Sequence, residues 1–91
     1  MSIMVRREDL EALDSIFIAI MCKKLWQDES QDAATREKAR ELKEEWFQLT
    51  EPETPPLPGS EAAAQLELRL ASLKSRMITF VLPFVGFGPK N

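Results

Sequence analysis

The chain has no histidine and no tyrosine, a single cysteine and three glycines among its 91 residues. Each scarcity removes a class of function. Without histidine there is no imidazole to serve as general base beside Cys22, and the usual zinc-ligand sets cannot be assembled. One cysteine cannot close an internal disulfide. The glycines at positions 59, 86 and 88 are too scattered to build a phosphate-cradling loop. No cofactor, metal or catalytic residue is expected, so an enzyme ranks last among the readings. No apolar run approaches the ~20 residues needed to span a bilayer.

Charge of one sign is also limited. Lys and Arg number 12 against 15 Asp and Glu, a net charge of −3. That lacks the basic excess through which nucleic-acid binders release counterions. The N-terminal Arg6–Arg7 pair is followed at once by Glu8, Asp9 and Glu11, unlike a signal peptide, whose basic residues precede an apolar stretch. The expected compartment is the cytoplasm, of the source cell or of a host, where a lone cysteine stays reduced.

What is present is helical periodicity. Apolar residues make up 44 % of the chain and charged residues 30 %, a globular composition. The spacing predicts an all-α fold: one domain over 1–91, a three-helix bundle with helices at about 8–26, 30–49 and 60–82, a linker at 50–59 and an apolar tail at 83–91. The first helix has acids at its start and Lys23 and Lys24 at its end, complementing the helix dipole. Asp28 or Ser30 is positioned to cap the second, with Gln31 completing a capping-box spacing after Asp28. Thr35, Ala39, Leu42, Trp46 and Leu49 step by 4-3-4-3 along it. On its other faces Asp32–Arg36 and Arg40–Glu44 have ion-pair spacing, and Glu37, Glu41 and Glu45 form an acidic row. That row reads as solvated surface, because carboxylates on an open helix face have no desolvated pocket to retune them.

The stretch Thr50 to Gly59 carries four of the six prolines and interrupts both neighbouring helices. Pro55-Pro56-Leu57-Pro58 has the minimal PxxP spacing, but no basic anchor adjoins it, and a stiff linker is the simpler reading. An extended path is long enough to let the third helix run parallel to the second. Ser60 is a good N-cap for the third helix. Leu66, Leu70, Leu73, Met77 and Phe80 form its main seam, Leu68, Ala71, Ile78 and Leu82 a second stripe, and Pro83 is expected to end it.

The expected core is Leu13, Phe17, Ile20, Leu42, Trp46, Leu66, Leu70, Leu73 and Met77, with Cys22 a buried structural residue. Two stretches, 16–22 and 80–87, hold more apolar surface than so small a bundle can cover, and no disulfide or metal staples the chain. The expected function is therefore a non-enzymatic protein–protein interaction module. It is read as a homodimeric small inhibitor, anti-activator or adaptor that binds a larger protein. Ile18, Met21, Trp26, Phe47, Phe80, Phe84, Val85 and Phe87 are its candidate partner-binding residues. Nucleic acid and membrane are not expected partners. The competing class is a small nucleic-acid-associated regulator using the first two helices as a helix-turn-helix-like pair, against which stands the acidic row of the second helix.

Overall fold

The computed structural model describes residues 5–85 and contains four α-helices: α1 (Arg7–Glu11), α2 (Ser15–Gln27), α3 (Ala33–Thr50) and α4 (Glu61–Val85). The class is all-α, as the periodicity indicates, with no strand among the described residues. There are four helices instead of three, because the first predicted helix breaks at 12–14. Asp14 takes an extended conformation (φ −64°, ψ 150°) and stands at the N-cap of α2. Short polar side chains such as Asp favour this non-helical geometry.

The break lets α1 turn onto α4. Arg7 donates to Thr79 Oγ1 at 2.8 Å, to Ser75 Oγ at 2.7 Å and to the Ser75 carbonyl at 3.3 Å. Lys74 Nζ donates to the Glu11 carbonyl at 2.8 Å, placing a cation at the C-terminal end of α1. The manoeuvre buries Leu10. The Arg6 N–H donates to Asp9 Oδ2 at 2.9 Å, which closes the start of α1.

The α2–α3 connection also differs from its expected capping. Asp28 does not start α3. It accepts from the Ser30 N–H (3.0 Å) and hydroxyl (2.6 Å), and these bonds hold its carboxyl below the ordinary range. The turn so formed delays α3 to Ala33, with Asp32 at its N-cap. Neither predicted i,i+4 pair forms: Arg40 pairs with Glu37, and Arg36 Nε donates to the Trp26 carbonyl at 3.0 Å. Together with Trp46 Nε1 donating to Ser15 Oγ at 3.0 Å, that bond makes α2 and α3 antiparallel.

The 51–60 segment carries no helix, and Pro52, Thr54 and Pro56 lie beside the first turns of α4 at Glu61, Ala62, Leu66 and Arg69. Gly59 has a positive φ of 79°, which glycine adopts without the Cβ penalty. Ser60 is the expected N-cap: its hydroxyl accepts from the Ala63 N–H at 3.1 Å. The predicted option of α4 parallel to α3 is not realised. Leu49 lies beside Leu66 and Leu70, whereas Glu45, nearer the start of α3, pairs with Arg76. The two helices are therefore antiparallel, because the proline segment turns back along α4 instead of crossing the bundle.

Pro83 does not end α4, which continues to Val85. A proline inside a helix removes one hydrogen bond and costs about 3 kcal/mol. The last turn is held instead by buried Val81, by Val85 packed on the core and by the Phe80 and Phe84 rings, 5.8 Å apart.

The core is Leu10, Ile18, Cys22, Leu42, Leu73, Met77, Ile78 and Val81, with Ala39 also buried. Leu42, Leu73 and Met77 are where the seams put them, and Leu13, Trp46, Leu66 and Leu70 are half-buried. Phe17 and Ile20 are not in the core: they are 50 % and 43 % exposed. Leu68, on the expected second stripe of the last helix, is 71 % exposed. It sits on the N-terminal half of α4, where only the proline segment and the end of α3 lie alongside. The Cα envelope measures 51 × 27 × 14 Å. The short dimension is about two helix layers, at 8–10 Å between axes plus a Cα radius of about 2.3 Å on each side. In such a slab α4 cannot cover α2 and α3 from both sides.

Candidate interaction surface

The outward face of α2 is the largest departure from ordinary helix patterning. At 100° per residue, Lys23, Ile16, Gln27, Ile20, Lys24 and Phe17 fall in one arc of about 120°. All six are exposed. The opposite arc holds Ile18, Ala19 and Cys22, all buried. A helix packed on one side normally carries polar residues on the other. Here the outer face is apolar at its N-terminal half and basic at its C-terminal half.

The surface continues toward α3. Ile16, Ala19, Ile20 and Trp46 form the floor of a shallow groove rimmed by Lys23 and Lys43. Lys43 Nζ lies 5.5 Å from the Trp26 ring centroid and 5.9 Å from that of Phe47, within cation–π range of both. Phe47 is 46 % exposed at the edge of this surface.

The expected partner-binding residues divide accordingly. Ile18 is excluded as a contact residue, since it is fully buried between α2 and its neighbours. Met21, Phe80 and Val85 are half-buried and pack against the core, so most of their apolar surface is already used. Trp26 is half-buried under Lys43, and Phe84 is half-buried beside Phe80. Phe47 alone among the described members is exposed. Phe87 lies outside the described residues. Ile16, Phe17 and Ile20 take the place expected of Ile18 and Met21. The signal that distinguishes them is present in the sequence: they share their arc with Lys23, Lys24 and Gln27, and lysines mark the side that meets water.

Burial pushes the Cys22 thiol up to about 12, away from a reactive thiolate. Glu37 is held below its usual carboxylate range, chiefly by its hydrogen bonds from Arg40, and Glu45 pairs with Arg76, so two of the three acids in the predicted row are engaged by arginines. Among the described residues no cluster of three metal-ligating side chains occurs, and no helix is long and apolar enough to cross a membrane. Comparison with protein-family models, curated proteins and solved structures finds no match to the chain.

Proposed function

We propose that this chain is a non-enzymatic protein–protein interaction module, a homodimer that binds a larger protein in the manner of a small inhibitor, anti-activator or adaptor. The observation that carries the proposal is the exposed apolar surface made by Ile16, Phe17 and Ile20 on α2 and by Phe47 on α3. Ile16 and Ile20 share one groove with Trp46, and exposed apolar surface on a small chain is a recurrent mark of association. Aromatic side chains at its edge supply contact area at low entropic cost. The acidic residues of α3 argue against the nucleic-acid alternative, because they would face phosphates.

The test is affinity capture from an extract of the source cell with the full chain, set beside Phe47→Asp. A specific larger protein retained by the parent and lost from the variant is the expected result. Equal retention by both, or none by either, counts against this reading. The variant should keep its helical circular dichroism, since Phe47 lies outside the core.

A further inference from the structure

We infer that α1 is a strap that opens as a unit of its own. It pivots at 12–14 and lifts Leu10 off α4 while α2, α3 and α4 stay packed.

By exposure alone Leu10 belongs to the centre of the core, as buried as Leu42 and Met77. Its attachment is different. α1 has five residues, well short of the roughly 12–15 that an isolated helix needs. It is therefore helical only while docked, and α4 is the helix it docks on. Its one buried side chain is Leu10, with half-buried Val5 and Leu13 to either side. The rest of the contact is polar and open to water: the Arg7 bonds to Ser75 and Thr79, and the Lys74 bond to the Glu11 carbonyl. Polar contacts at that exposure exchange for water at little net cost.

The pivot lies where backbone bonding lapses. The Ala12 and Leu13 N–H groups bond back to the Glu8 and Leu10 carbonyls, and the Phe17 N–H bonds to the Asp14 carbonyl. Among the described residues no backbone hydrogen bond joins 5–13 to 14–27. Directly after the extended Asp14, Ser15 accepts from Trp46 Nε1, and Ile18, Ala19 and Cys22 are buried. α2 is thus fastened from its first residue, and opening of α1 leaves it in place.

The seat of the strap on α4 follows from the polar contacts. Arg7 reaches Ser75 and Thr79, whereas the later Glu11 meets Lys74, so α1 runs back along α4 with Leu10 between. At about 100° per residue, Ile78 falls between Lys74 and Ser75 around α4. Buried Ile78 therefore borders the seat and is uncovered when Leu10 leaves. The closed strap hides this apolar patch, and the open strap adds it to the surface of α4.

Native-state hydrogen exchange on the full chain tests this. The Leu10 and Ala12 amides report α1, and the Leu42 and Met77 amides report the core. Releasing one leucine corresponds to about 10²-fold protection for α1. Core amides, which open only with the whole domain, should be protected about 10⁴-fold or more. Arg7→Ala should speed α1 exchange about tenfold further and leave Met77 unchanged. A thiol at the seat tells undocking apart from unwinding in place. In Ile78→Cys the new thiol should be alkylated faster than Cys22, and adding Arg7→Ala should widen that gap. Equal protection of α1 and core amides overturns the inference. So does acceleration of Met77 by Arg7→Ala in step with α1, or alkylation of the two thiols at one rate.

Discussion

Ile18 and Ile20 are the same side chain two positions apart on α2, yet one is fully buried and the other 43 % exposed. The same division separates Cys22 and Ala19 from Ile16 and Phe17. Both sets are apolar, so transfer free energy does not distinguish them. What differs is the neighbour. α3 and α4 both pack against α2, and among the described residues nothing lies over those left toward the open face of the slab. In this molecule hydrophobicity alone does not fix burial, because there are more apolar residues on α2 than there are helices to receive them.

Truncating each isoleucine separates the two faces most strongly. Ile18→Ala should destabilise the fold by about 2–5 kcal/mol, the usual cost of opening a cavity in a closed core. Ile20→Ala should change monomer stability by about 0.5 kcal/mol or less. Urea unfolding at low micromolar protein measures both. Equal costs would mean that the outer face is covered within the monomer.

Cys22 offers a second handle on the inner face. Its thiol is pushed up to about 12 from an ordinary 9.0. Below the lower value both folded and unfolded chains keep the proton. Above it the unfolded chain ionises first and the folded chain does not, so the unfolded state binds fewer protons and stability falls as pH rises from 9.0 toward 12. Alkylation of the native protein at neutral pH should be slow and limited by opening, whereas an Ile20→Cys variant should gain a second thiol that reacts at once. Rapid modification of Cys22 in the native parent would contradict its burial.

The smallest effect is expected where the fold meets water through charge. Arg76 and Glu45 join α4 to α3, with side chains about half exposed. Removing either by mutation should cost at most about 1 kcal/mol, and less at high salt. A larger, salt-insensitive cost would show that this contact sets the approach of the two helices.

Much of the architecture can be read from spacing. The 4-3-4-3 run on α3 predicts Ala39 and Leu42 on the inner face, and both are buried. The Leu73–Met77 section of α4 behaves likewise, and Ser60 caps where its position after the prolines indicates. These features are local: helix period, capping hydroxyl and proline each act within a few residues. The misreadings are tertiary. A break at Asp14 depends on α1 gaining Arg7 and Leu10 contacts with α4, residues more than sixty positions away. Helix beyond Pro83 depends on the packing of Val81 and Val85. Val81, absent from the expected core, is chosen over Leu68 because α1 and α2 pack toward the C-terminal half of α4 and leave its start to the proline segment.

The exposed apolar surface on α2 and α3 is half legible from the residues alone. An excess of apolar residues at 16–22 was evident from composition, and its location on α2 followed. Which of those residues face outward required the arc occupied by Lys23, Lys24 and Gln27, and the partner residues at the end of α4 proved half-buried.

Helical period, the lack of histidine and the over-supply of apolar residues follow from the amino-acid order alone, because composition and spacing act without reference to distant residues. Which apolar surface is left over is settled by packing. That choice depends on how many helices reach each side of α2, and a two-layer slab reaches one side alone.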